Sequence, residues 1–228
     1  LAGGRGEKEA TEPYRGIESF AVSENGKALA VLATAGESPT TRDSRSLPDA
    51  GLYFKGKRVG ESYTHVALPT VDARGRRVAY VAMRDGREAP VIGDEEDVAW
   101  RYDHVRALTF DPSGDRLAFV ANTGGTAVEG SFAIEGGRSF VVVRPASGRD
   151  AWEEHPPASA VRHLTWDADG ERLAYAAFED GGWRIVCGAR RSEAFDEIGP
   201  PRFAPDGKSL GFGARSGREL WWRVLALE

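Results

Sequence analysis

Several scarcities narrow the field before any motif is considered. The 228 residues include one cysteine, so no disulfide can form within the chain. That residue, Cys187, stands in the apolar run Trp-Arg-Ile-Val-Cys-Gly with no histidine beside it, the setting of a buried structural thiol and not of a nucleophile. No apolar run is long enough to cross a bilayer: the longest, Ala28 to Ala35, falls far short of the ~20 residues a spanning helix needs. Lysine is rare, 5 against 25 arginines, and the net charge is −5. A dedicated nucleic-acid binder would carry a basic domain with clustered cations. Here arginines mix with acids, as in Arg42-Asp43-Ser44-Arg45, and read as a solvated, salt-bridged surface; no nucleic acid is expected as a partner. Reaction signatures are scarce too. There is no His-Glu-x-x-His and no P-loop, and Gly211 to Gly217 lacks the glycine spacing and the following helix of a dinucleotide site. No cofactor and no metal are expected.

What the chain has in abundance is one hairpin. Val105 to Ala121 places two apolar runs around an Asp-Pro-Ser-Gly turn, and the pattern returns four times, aligned on Gly26, Gly75, Gly170 and Gly207. Four residues before each glycine stands a large apolar residue: Val22, Val71, Phe110, Trp166 and Phe203. After it comes a large-small-large triplet such as Leu117-Ala118-Phe119 or Leu173-Ala174-Tyr175. Alternation of period two puts the large residues on one sheet face and the small ones on the other, so that neighbouring repeats can interlock. Third strands follow as GLYFKG, APVIGD, SFVVVR, WRIVCG and LWWRVL. An aromatic supplies a second ruler. Tyr14, Tyr63, Tyr102 and Phe195 each precede their glycine by twelve residues and Trp152 by eighteen, which predicts a six-residue insertion near Pro156 and Pro157.

These spacings predict an all-β chain: a five-bladed β-propeller of four-stranded antiparallel blades in a single domain spanning 1–228. The blades run about 17–63, 64–102, 103–152, 153–195 and 196–228, the last completed by a strand at 8–16. That N-terminal strand would close the ring and remove its exposed edges.

Ala204-Pro-Asp-Gly-Lys208 followed by an apolar strand, together with Glu193 to Pro201, resembles the WD-like propeller repeats of bacterial TolB-type proteins, and the likeness extends over nearly the whole chain. It implies the propeller fold. It also implies a protein that holds other proteins, often outside the cytoplasm.

Unequal loops suggest where a partner would sit. In a propeller the connections from fourth to first and from second to third strands share one face, and the long insertions Gly36 to Ala50, Asn122 to Gly137 and Pro156 to Ala160 all fall there. His65 and His104 occupy equivalent positions near that rim. Arg106 and Arg162 begin neighbouring first strands and can look into the funnel mouth, where they would suit a carboxylate, a phosphate or an acidic peptide end. Arg42, Arg45, Trp100, Trp152 and His155 are candidates for a partner surface. At the position held by Arg106 and Arg162 the remaining repeats carry Glu18, Ala67 and Gly199, one acid where a glycosidase needs two facing carboxylates. The expected function is a non-enzymatic protein–protein interaction module, an extracytoplasmic accessory subunit or scaffold that docks, monomeric by itself, onto a larger, possibly membrane-associated complex. The alternatives are a cytoplasmic location and a small-ligand or glycan-binding propeller, such as a degenerate glycoside hydrolase.

Overall fold

The computed structural model describes residues 14–35, 50–60, 63, 65–95, 100–128, 134–147 and 152–228. Among them there is no helix; five antiparallel sheets follow one another along the chain, with one two-stranded ribbon besides. Each turn glycine joins the first and second strands of a sheet. The pairs are Tyr14–Val22 with Leu29–Ala35, His65–Val71 with Val78–Arg84, His104–Phe110 with Arg116–Thr123, and Ala160–Trp166 with Leu173–Glu179. In the fifth sheet the first strand is split into Glu197–Ile198 and Arg202–Phe203, both paired with Ser209–Ser216. Pro200 and Pro201 lie at the break, where they have no N–H to give to the ladder. Third strands are Ala50–Phe54, Arg87–Ile92, Arg138–Pro145, Gly182–Cys187 and Glu219–Ala226, the segments the alternation marks.

The interlock between sheets follows the large-small pattern. On one face of the fourth sheet Leu173 and Tyr175 pack against Ala118, Val141 and Val143 of the third; on the other, Ala174 and Ala176 receive Leu210 and Phe212 of the fifth. First strands of sheets one to four touch in series.

A second device ties the sheets together at the glycine turns. Asp72, Asp111 and Asp167, each three residues before a turn glycine, are buried. Their carboxylates accept backbone N–H groups from the far side of the same turn: Arg76 and Arg77 at 2.5 and 2.7 Å, Asp115 and Arg116 at 2.9 and 3.0 Å, and Arg172 at 3.0 Å. The arginine two residues after the glycine then reaches the next sheet. Arg77 donates to the carbonyl of Gly114, and Arg116 to that of Gly170. The first and fifth repeats carry Ser23 and Ala204 in place of the aspartate, and Ala28 and Ser209 in place of the arginine.

The aromatic ruler is corrected in one repeat. Tyr102 and Phe195 bridge the third strands of their sheets at Glu88 and Trp183, acting there as the fourth strand. The equivalent bridge in the third sheet joins Ser139 to Ala158, by hydrogen bonds of 2.9 and 2.8 Å, and Ala158 stands twelve residues before Gly170. Trp152 is therefore not the counterpart of those aromatics, because backbone pairing, not ring chemistry, sets the register. Its six-residue excess lies ahead of the bridge, where Glu153–Glu154 adds a further pairing with Val142 and Val143.

Closure of the ring is not seen among the described residues. Of the strand expected at 8–16, residues 8–13 lie outside them, and Tyr14 and Gly16 pair with Ala35 and Thr34 of the second strand instead of with the last sheet. Large apolar side chains are exposed on both the first and the last sheet: Ile17, Phe20 and Val22 on one and Leu220, Trp222 and Val224 on the other.

Cys187 is buried at the end of the fourth sheet's third strand, and burial pushes its thiol up from the ordinary range. Since the thiolate is the reactive form, native protein should leave 5,5′-dithiobis(2-nitrobenzoate) almost unreacted and consume one equivalent only after denaturation. Rapid labelling of the folded chain would place the thiol at the surface.

Candidate functional site

The first strands of the second, third and fourth sheets share an irregularity. Each is bulged, between Ala67 and Thr70, Arg106 and Thr109, and Arg162 and Thr165. The residue seven before the turn glycine then takes a positive φ without being glycine: Leu68 at 51°, Ala107 at 53° and His163 at 61°. Such a conformation costs about 1 kcal/mol or more in each L-residue and is held by the surrounding structure. All three line one cavity of about 480 Å³ at the mouth between these sheets.

Three of the four residues expected at the funnel meet there: His104, Arg106 and Arg162 line the cavity, but His65 does not and is exposed. The arginines are not bare cations. Arg106 Nη1 donates at 2.7 Å to Glu88 Oε2 and at 2.6 Å to the carbonyl of Val105, while Glu88, buried, also accepts the N–H of Val105 at 2.7 Å. Arg162 pairs through Nη2 with Glu197, donates to the carbonyl of Ile198 at 3.0 Å and lies over the Trp183 ring, 3.9 Å from its centroid. That bond from Arg162 holds the Glu197 carboxyl below its usual range. Burial lowers the pKa of His163, with the Arg162 cation acting the same way and Glu197 opposing. Among the described residues His104 Nδ1, Arg106 Nε and Arg162 Nε are buried with no hydrogen-bond partner.

Two carboxylates thus stand at this rim where the sequence pattern shows one acid, Glu18, among the five repeats. Glu88 comes from a third strand and Glu197 from the strand one repeat further on, so neither shares the position of Arg106 and Arg162. Glu88, Ser139 and Trp183 are equivalent residues, each the second of its third strand, and that spacing is the signal that could have found Glu88.

Described residues at both ends of the third repeat's insertion, Asn122 and Ile134, reach this opening. Thr126–Ala127 pairs with Ile134–Glu135 as the separate ribbon, and Ile134 forms part of the cavity wall. Asn122 anchors its base, donating to Ser139 Oγ at 2.9 Å and accepting the N–H of Gly125 at 3.0 Å. In the second and fourth sheets the same connection is a tight turn, Asp85-Gly86 and Asp180-Gly181, with positive φ at both residues. A shallower hollow of about 410 Å³ next to the ribbon joins Arg138, Pro157, Ser159 and Asp180, so insertions of the third and fourth repeats share a face.

The aromatic candidates for a partner surface have other roles. Trp152 packs into the core beside Tyr102 and Phe119, with Arg101 and Arg144 over its ring at 4.9 and 5.0 Å, because the fourth strand turns it inward. Trp100 is half-buried against Tyr63, with Arg84 5.0 Å above its ring. His155 is half-buried with Nδ1 3.4 Å from the Tyr175 hydroxyl, and burial lowers its pKa against the opposing pull of Glu153. Arg42 and Arg45 lie outside the described residues, as does most of the Gly36 to Ala50 insertion.

Gly207-Lys-Ser209-Leu-Gly211 has the Gly-x-Ser-x-Gly spacing of a nucleophile elbow, but Ser209 starts a strand paired with Ala226 and no helix follows. Among the described residues no group of three or more His, Cys, Asp or Glu could hold a metal ion, and no helix is long and apolar enough to cross a membrane.

No protein-family model matches the sequence, and no curated protein matches it. Solved structures do. Hydrazine synthase of Kuenenia stuttgartiensis aligns with a TM-score of 0.60 at 11% identity, over 92% of this chain and 71% of the other. The uncomplexed acylaminoacyl peptidase of Pyrococcus horikoshii aligns at 0.57 and 11%, over 96% of this chain. A putative TolB from Agrobacterium tumefaciens aligns at 0.52 and 9%, over 92% and 77%. The chain spans only 39% of the peptidase's length. At such identities the likeness shows the fold, a β-propeller, and nothing of the activity.

Proposed function

We propose that the five sheets are five propeller blades and that the chain is a non-enzymatic interaction module, an accessory subunit or scaffold that receives another protein on the face bearing the ribbon. One observation carries this reading: parts of the insertions of the third and fourth repeats border the mouth cavity and the hollow beside it, while the glycine turns at the other ends of the first strands are short in all five repeats and are tied from sheet to sheet where Arg77 and Arg116 reach the carbonyls of Gly114 and Gly170. Loops on a rigid frame are where binding surfaces are built. The two rim carboxylates favour binding over hydrolysis. Glu88 is engaged by a backbone N–H and Arg106, and Glu197, held ionised by Arg162, is a poor proton donor. The extracytoplasmic part of the reading rests on the resemblance of the last repeat to TolB-type proteins.

The test is a partner captured from native cells by cross-linking, with a carboxylate-reactive linker because lysines are few. Links should cluster on the ribbon and on 155–160. Replacing 124–137 by an Asp-Gly turn, as in the neighbouring sheets, should weaken partner binding more than about tenfold. Stability should change little, since loop length has a small entropic cost. Undiminished binding by that variant would remove the ribbon face from consideration.

A further inference from the structure

The mouth cavity has apolar walls and a surplus of buried donors, and that combination specifies a ligand. Leu68, Val120, Ile134 and Val161 supply the walls. On Arg106, Nη1 makes both of the guanidinium's hydrogen bonds, which leaves the edge formed by Nε and Nη2. Nε is buried and has no acceptor among the described residues. A guanidinium edge of this kind matches the two oxygens of a carboxylate, through two parallel N–H···O bonds. Arg162 Nε is buried without a hydrogen-bond partner at the same opening, and His104 Nδ1 stands 3.7 Å from Glu88 Oε1. Unmet donors of this sort cost free energy until an acceptor arrives. Glu88 and Glu197 narrow the class further. They balance the two arginines, so the site holds no surplus cation to offset the second charge of a phosphate dianion.

We infer that this cavity is a binding site for an organic monocarboxylate with an apolar body, its carboxylate held by the Nε edge of Arg106 and its body by Leu68, Val120, Ile134 and Val161. The shared chemistry can come from the free C-terminus of a partner chain or from a small carboxylic acid. The inference rests on the binding role proposed above and names its ligand.

Hexanoate and hexanamide are the first probes, titrated against the intact chain while its melting temperature is followed. Hexanoate should give a saturable rise and hexanamide none, because only a ligand bound to the native state stabilises it. Equal responses, or none to either, would overturn the site. Arg106→Gln should weaken hexanoate by about tenfold or more, and so should Ile134→Asp, which sets a negative charge in the wall without touching the ion pairs. Unchanged affinity in a folded variant would also overturn it. Acetyl-Gly-Gly-Leu-Leu as the free acid and as the amide then separates the sources. An acid peptide more than about tenfold tighter than hexanoate, with a silent amide, marks a chain end; an acid peptide no tighter than hexanoate marks a small molecule. If the probes fail while partner cross-links still cluster on the ribbon, the ligand is wrong and the docking face stands. If the probes bind and no links form there, the converse holds.

Discussion

Replacing Asp111 by alanine should lower the melting temperature by about 10 °C, a loss of about 2–4 kcal/mol. The Asp111 carboxylate is buried and accepts four donors: the N–H groups of Asp115 and Arg116 at 2.9 and 3.0 Å, the Ser113 hydroxyl at 2.9 Å and, at a longer 3.5 Å, the Arg116 guanidinium. Truncation leaves two turn amides without their acceptor and frees Arg116, whose other end holds the Gly170 carbonyl of the next sheet. The damage therefore crosses from one sheet to its neighbour. Asp111→Asn separates the parts. Its Oδ1 can still serve the two amides, but its NH₂ opposes Arg116, so about half of the loss should remain. Urea denaturation of both variants provides the measurement. Equal stability of wild type and Asp111→Ala would mean that the turns of successive sheets do not support one another.

Gly114→Ala and Gly26→Ala form the second large effect, as a contrast. Both glycines have positive φ, +76° and +68°, so an alanine side chain is strained at either by about 1 kcal/mol or a little more. Their surroundings differ. A Cβ on Gly114 would lie 2.7 Å from Oδ2 and 3.0 Å from Cβ of Asp72, and Asp72 cannot retreat because it is buried and bonded to the N–H groups of Arg76 and Arg77. Overpacking should add about 1–3 kcal/mol there. A Cβ on Gly26 would meet nothing within 4 Å among the described residues. Every other turn glycine of the five rests on the preceding sheet: Gly75 on Ser23 and Ala28, Gly170 on Asp111, Gly207 on Arg172. Gly26 belongs to the first sheet, so its free space marks the seam between the first and last sheets. Gly114→Ala should thus cost about 3 kcal/mol and Gly26→Ala about 1. A Gly26→Ala loss as large as that at Gly114 would show that the first sheet has a neighbour in solution and that the ring expected from the repeats closes.

The latch that both predictions probe was present in the sequence as three copies of Asp-x-x-Gly-x-Arg, at Asp72, Asp111 and Asp167, although its geometry was not. A short-range pattern states that a turn has an acid and an arginine. It does not state that the acid closes its own turn while the arginine reaches the next one, since that depends on how two sheets are offset. The mouth shows the same division. Arg106 and Arg162 could be aligned because they share a repeat position, whereas Glu88 and Glu197, their partners, come from other positions and emerge only when strands from different repeats are brought together. Trp152 was misread for the related reason that an aromatic was followed where backbone register was required.

By itself the sequence determined the strand segments, their order, the glycine turns and the alternation of large and small faces. These follow from φ limits at single residues and from the two-residue period of a strand, which act over a few neighbours. Only the tertiary structure decided that three bulged strands share one cavity, that its arginines are already paired, that Ile134 is carried onto its wall, and that apolar side chains of the first and last sheets are exposed. Those outcomes depend on contacts between residues dozens of positions apart, and their distances are set by how sheets stack and not by any local preference of the chain.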